Sequence, residues 1–130
     1  MSDIIAAIAT GSSPSAIGII RLSGSGAIAL ADQVFAPLGA TRLAAAPDRS
    51  LILGNLLDET GRVLDQILAT VSRGPNSYTG EDTAEFQCHG SPAVLAAALQ
   101  ALFQLGARQA GPGEFTKRAF LNGRMDLSQA

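Results

Sequence analysis

The residues of this chain best equipped to hold a ligand are one carboxylate, Glu85, and two guanidinium groups, Arg21 and Arg124. Glu85 stands in Thr83-Ala84-Glu85-Phe86-Gln87-Cys88, a run that alternates as a strand does. Thr83, Glu85 and Gln87 are expected on one face and Ala84, Phe86 and Cys88 on the other. One reading makes Glu85 a solvated carboxylate on an edge strand. The other uses what a carboxylate does well, which is to accept two parallel N–H bonds from an amidine-like edge. Guanine and the pterins present such an edge. Arg21, inside the apolar run Ile17 to Ser23, either snorkels outward, pairs with an acid, or clamps the anionic part of a ligand. Arg124 follows Asn122-Gly123 and precedes Asp126, an i, i+2 spacing that makes no helical pair, so its partner is expected elsewhere.

The remaining reactive groups carry weaker signals. His89, in Cys88-His89-Gly90-Ser91, reads as a turn residue rather than a general base, since no nucleophile is paired with it. The chain has one Cys and one His, too few for an internal disulfide or a zinc site, and a reducing cytosolic setting is expected. Gly24-Ser25-Gly26 with Ala29 fits the loose G-x-G-x-x-G/A pattern of dinucleotide binding, but the following strand enters a hairpin instead of returning parallel. A tight strand-to-helix turn is the better reading. The only lysine, Lys117, precedes Arg118 and has no phosphate-cradling glycines before it, so this segment contains no P-loop.

The elements that must place these groups are legible from spacing. Asp3–Ala9 and Ile17–Leu22 are short Ile-rich strands. A helix opens at Ser23–Gly26, with Ala27, Ile28, Ala31, Val34 and Phe35 on its apolar stripe, and Pro37 and Gly39 close it. Residues 38–48 read as a loop. Ser50–Leu57 and Val63–Val71 flank Asp58-Glu59-Thr60-Gly61-Arg62 and predict a β-hairpin. A turn-rich loop covers 74–82. Ser91-Pro92 caps a helix with Val94, Leu95, Leu99, Leu102 and Phe103 inward and Gly106 as its stop. Gly111-Pro112-Gly113-Glu114 opens a shorter helix that ends at Asn122-Gly123. The order β-β-α-β-β-β-α-α predicts an α+β fold, with a mixed or antiparallel sheet of five to six strands backed by about three helices.

With 130 residues, 47% hydrophobic and 15% charged, the chain suits one ordered domain that buries about two-thirds of its unfolded surface. A net charge of −2 gives no basic face for tight phosphate-backbone binding. The start carries no signal or transit peptide pattern, and no apolar run approaches the ~18 residues of a membrane span. Gly111 to Ala130 packs a helix start, a glycine stop and a second helix start into twenty positions. The sequence is therefore expected to be an amino-terminal piece of a longer protein.

Three segments together are far more specific: Ile17-Gly18-Ile19-Ile20-Arg21-Leu22-Ser23-Gly24, Gly74-Pro75-Asn76-Ser77-Tyr78-Thr79-Gly80-Glu81-Asp82, and Pro112 to Arg124, PGEFTKRAFLNGR. With Cys88-His89-Gly90 between them, they closely resemble the amino-terminal region of the bacterial tRNA-modification GTPase family called MnmE or TrmE. The likeness runs over essentially the whole chain. It implies a domain similar in fold to the folate-binding domain of the glycine-cleavage T-protein. That domain would dimerise and bind a tetrahydrofolate derivative, 5-formyl or methylene. Residues 1–121 would form it, and 122–130 would begin a helical domain into which a GTPase domain, absent here, is inserted. GTP, magnesium and potassium would belong to the full-length protein only. The resemblance further implies a cytoplasmic enzyme acting with the flavoprotein MnmG (GidA) to add an aminomethyl-type group to C5 of the wobble uridine of tRNA. The positions matching the family's folate contacts are Arg21, Glu85 and Arg124, and the 74–80 loop and the Asn122-Gly123 corner would frame the pocket. Two other readings stay open: an interaction module that binds no small molecule, and a dinucleotide site at Gly24–Ala29.

Overall fold

The computed structural model describes residues 3–9 and 17–123. Eleven elements follow one another: β1 (Ile5–Ile8), β2 (Ile17–Ser23), α1 (Ala27–Gln33), β3 (Phe35–Pro37), a 3-10 turn (Leu43–Ala45), β4 (Ile52–Leu57), β5 (Val63–Ser72), β6 (Thr83–His89), α2 (Pro92–Gln104), β7 (Arg108–Gln109) and α3 (Glu114–Leu121). The strands form one seven-stranded sheet in the order β3-β4-β5-β6-β2-β1-β7. All neighbours are antiparallel except β1 and β7. This is an α+β fold with a mixed sheet, as the element order predicts.

Alternation along the strands decides which face is covered. Ile20 and Leu22 of β2, Ile67, Ala69 and Val71 of β5, and Ala84, Phe86 and Cys88 of β6 form one face of the core. Helices α1 and α2 bury Ile28, Leu30, Ala31, Leu95, Ala98 and Leu102 in the same cluster. Phe86, fully buried, stacks with Phe35 at 6.2 Å between ring centroids. The opposite face presents two cross-strand rows: Leu53, Leu68, Gln87 and Ile19, and beside it Thr70, Glu85, Arg21 and Ala7. Among the described residues no helix layer covers most of its area, and Leu53 and Ile17 remain about half exposed.

Three local departures from the sequence reading have physical causes. The first helix stops at Gln33, and Phe35, placed there by helical spacing, opens the edge strand β3 against β4 instead. There its ring is buried and stacks on Phe86. Residues 38–48 contain the 3-10 turn because the buried carboxylate of Asp32 accepts the Leu43 and Ala44 N–H groups at 2.8 and 2.9 Å. β7 is two residues long and carries no readable pattern; it pairs parallel with β1. The hairpin between β4 and β5 forms as expected. Asp58 Oδ1 accepts the Thr60 and Arg62 N–H groups, both at 2.9 Å, and Gly61 takes φ 89°.

Gly24 follows β2 with φ 142°, and a Cβ there would sit 2.5 Å from the Asp3 carbonyl oxygen. The glycine thus serves a close backbone crossing. The helix after it has seven residues and leads to an antiparallel edge strand, so the parallel β-α-β unit of a dinucleotide site does not form. Phe86→Ala should lower unfolding free energy by about 3–5 kcal/mol in urea titrations. Leu53→Ala, on the uncovered face, should cost well under half of that.

Candidate functional site

Glu85 lies on β6, which is flanked by β5 and β2 and is therefore central; the edge-strand reading is corrected. In the β2–β6 register Arg21 is directly opposite Glu85. Two side chains 64 residues apart in sequence thus share one face of the sheet, and Arg21 Nε donates to Glu85 Oε2 at 2.7 Å. Both are about a quarter to a third exposed, at 30% and 26% of their side chains. A pair at that depth is not fully solvated, and it is not sealed off from a ligand either.

The pair stands where the cover of this face ends. Two residues on, Ser23 is opposite Thr83 and both are buried, Ser23 bonded to the 73–82 loop and to Arg118 of α3. Two residues back, Ile19 is opposite Gln87 on the uncovered part. Arg21 and Glu85 therefore form a ledge. From the covering side, the Tyr78 and Phe115 rings flank the Arg21 guanidinium, with centroids 5.9 and 5.7 Å from Cζ. Tyr78 Oη and Thr116 Oγ1 are hydrogen-bonded at 2.9 Å, which ties the two ring-bearing segments to each other. Such cation–π contacts restrain the guanidinium plane without using its N–H groups. Neither Arg21 Nη nor Glu85 Oε1 is hydrogen-bonded to another described residue. A cleft of about 380 Å³ opens beside the ledge, lined by Arg49, Leu51, Thr70, Tyr78, Thr83, Glu85 and neighbouring residues.

Behind the ledge lies a second, buried layer that the sequence reading did not single out. Arg118, 9% exposed, donates from Nη1 to the Asp3 carbonyl at 2.8 Å, to Glu81 Oε1 at 3.1 Å and to the Ser23 carbonyl at 3.4 Å. Its Nη2 is bonded to the Asp3 carboxylate and lies 3.5 Å from Glu114. Ser23 Oγ donates to Glu81 Oε1 at 2.8 Å and shares a proton contact with Thr79 Oγ1 at 2.7 Å. Asn122 Nδ2 reaches the Thr79 carbonyl at 3.0 Å, so the expected corner does meet the loop. The available signal was periodicity: Arg118 falls three residues after Phe115 and next to Ala119, on the inward side of α3.

Arg108 extends this layer to the surface. It donates to Asp3 Oδ2 and to Glu114 Oε2, both at 2.6 Å. Its hydrogen bond holds the Asp3 carboxyl at about 2, against an ordinary 3.8, with Arg118 adding to the effect. The same guanidinium, helped by the Gly111 N–H, holds Glu114 at about 2 from an ordinary 4.5. The Cys88 thiol is pushed up to about 12 by burial, which leaves it neutral and inert. His89 Nδ1 lies 2.9 Å from both Asp65 carboxylate oxygens, and the His89 N–H donates to Asp65 at 3.1 Å. His89 is the last residue of β6, opposite Ile17, so the reading of it as a turn residue is corrected: its strand pairing and Asp65 hold it. Arg124 lies outside the described residues.

A family model described as "GTP-binding protein TrmE N-terminus" matches residues 4–124. The chain belongs to this family. The tRNA modification GTPase MnmE of Symbiobacterium thermophilum is 48% identical over 128 residues, 98% of this chain and 28% of that protein. The proteins of the same description from Halorhodospira halophila and Thermus thermophilus are each 50% identical, over 99% and 100% of this chain. The chain spans 26% and 30% of their lengths. It thus corresponds to somewhat over a quarter of these TrmE relatives. Among the described residues no helix is long and apolar enough to cross a membrane.

The depressed carboxyls set an acid dependence whose sign is determined. An unfolded chain takes up these protons at its ordinary carboxyl values, while the folded one resists down to about pH 2. The stabilisation is complete above the ordinary range and disappears as pH falls through the folded values. The melting temperature should fall between about pH 4.5 and 2, and Asp3→Asn with Glu114→Gln should flatten that fall. Added salt should weaken the Asp3 part, since Asp3 is about half exposed. An unchanged slope in the double variant would remove these ion pairs from the account.

Proposed function

We propose that this chain is the folate-binding and dimerising amino-terminal part of a tRNA-modification GTPase. The observation that carries the reading is the Arg21–Glu85 ledge: a carboxylate held by an arginine, with one oxygen that no other described residue bonds, at the lip of a ligand-sized cleft. Its chemistry suits a pterin. Glu85 would accept the paired N–H groups of the aminopyrimidinone edge, and Leu51 and the Tyr78 ring supply flat apolar wall beside it. The outer N–H groups of Arg21 would meet carbonyl or carboxylate oxygens of the ligand, and Arg124, just past the Asn122-Gly123 corner, would add a second cation. When bound, a reduced folate of the 5-formyl or methylene kind supplies a one-carbon unit. In this reading the residues here bind and orient that ligand.

In this proposal residues 1–121 form the folate domain, similar in fold to that of the glycine-cleavage T-protein, and 122–130 lead into a helical domain carrying the GTPase. The whole protein would use GTP, magnesium and potassium, work in the cytoplasm with the flavoprotein MnmG, and add an aminomethyl-type group to C5 of the wobble uridine of tRNA. Dimerisation would use the uncovered sheet face, where Ile17, Leu53 and Leu68 line shallow hollows beside the ledge. That apolar exposure also supports a second reading, an interaction module that binds no small molecule.

Titration calorimetry separates the two. A tetrahydrofolate should bind, and Glu85→Ala should weaken binding about ten- to hundredfold, the span of a charge-assisted hydrogen bond worth roughly 1.5–3 kcal/mol. No heat of binding for the wild-type chain, together with a dimer in sedimentation, would favour the interaction module. Leu53→Asp should shift the sedimenting species toward monomer. A dimer indifferent to that change would move the interface elsewhere.

A further inference from the structure

We propose that Arg118 is the positioning residue of the Arg21–Glu85 ledge. It locks the 73–82 loop and α3 onto the end of β2, and so keeps the Tyr78 and Phe115 rings against Arg21. The inference deepens the reading of the ledge as a ligand site and rests on it.

Burial supplies the first argument. A guanidinium on a side chain only 11% exposed must be compensated on nearly every donor, and the compensation here comes from four separate places in the chain. These are the Asp3 carbonyl and carboxylate, the Ser23 carbonyl, Glu81 and Glu114. An eight-residue helix such as α3 is too short to persist by itself, so its attachment to the sheet is a tertiary matter. Arg118 is its buried polar anchor.

Placement supplies the second. Phe115 lies three residues before Arg118, one turn away on the same side of α3. Tyr78 adjoins Thr79, whose hydroxyl is fixed to Ser23, and Ser23 is in turn fixed to the same Glu81 oxygen that Arg118 holds. Each ring is therefore one residue or one helical turn from a group that Arg118 restrains. Arg118 touches neither Arg21 nor Glu85 by hydrogen bond; its effect reaches them through the rings.

The composition provides a direct probe: the chain has one tyrosine and no tryptophan, so intrinsic emission reports Tyr78 alone. Anisotropy and acrylamide quenching of that emission would be measured without ligand in wild type, Arg118→Met, Arg118→Lys and Glu81→Gln. The same four proteins would be titrated calorimetrically with 5-formyltetrahydrofolate. Arg118→Met and Glu81→Gln should keep the far-ultraviolet dichroism of the fold, lower the anisotropy and raise the quenching. Their affinity should fall about tenfold if the loop is in place about a tenth of the time. Arg118→Lys should restore part of both signals. Unchanged anisotropy and quenching in Arg118→Met and Glu81→Gln would overturn the proposal. If Arg118→Met unfolds, Glu81→Gln decides by the same readouts, since it leaves Arg118 paired with Asp3 and Glu114. Looser Tyr78 with no ligand binding even in wild type would sink the folate reading and leave the positioning role standing. Equal affinity in all four proteins would do the reverse.

Discussion

The antiparallel register of β2 against β6 is the constraint on which the candidate site depends. It sets Arg21 opposite Glu85 and, two residues along, Ser23 opposite Thr83. A slip of one residue would turn Glu85 into the helix-covered core and bring Phe86 out to the surface. The apolar residues on the other face forbid that slip. Ile20, Leu22, Ala84 and Phe86 are all buried, so the core pattern that stabilises the sheet also fixes which polar residues meet on its outer face. Site geometry here is a by-product of core packing. No dedicated scaffold is needed to bring the two charges together.

On that outer face the charges fall into two layers with different physics. The ledge pair, Arg21 with Glu85, is partly exposed and, among the described residues, makes one short hydrogen bond, which leaves capacity on both partners there. The layer behind it, centred on Arg118, is buried and spends its donors on four chain positions. A buried cation with that many partners is costly to move, because every partial opening strands a charge. The ledge, by contrast, can exchange one partner for another. Rigidity is thus concentrated one layer below the place where a ligand would be held, and the aromatic rings of Tyr78 and Phe115 connect the two.

The two faces of the sheet also differ in kind. Helices α1 and α2 complete one of them with aliphatic side chains. Among the described residues the other is closed only at the end where the 73–82 loop and α3 lie, and the remaining area carries Ile17, Leu53 and Leu68 beside Gln87. An antiparallel sheet tolerates one face in water, provided it is polar. This one is partly apolar, which favours contact with another surface.

Much of this was legible in the chain. Period-two alternation gave the two faces of β6, hairpin chemistry around Asp58 and Gly61 gave β4 and β5, and Ser91-Pro92 marked the start of α2. The specific segments around Arg21, Tyr78 and Phe115 pointed to the TrmE family, and the family model agrees. These are local properties, determined by spacing, turn preference and residue type. What the linear order could not contain is partnership across distance. That β6 is central, that Phe35 leaves a helical stripe to stack on Phe86, that Asp32 caps a turn eleven residues on, and that Arg118 gathers Asp3, Ser23 and Glu81 are outcomes of tertiary packing, strand order foremost. Strand order is chosen by the total burial of the sheet, a sum over contacts far apart in sequence, and no window of neighbouring residues carries that sum.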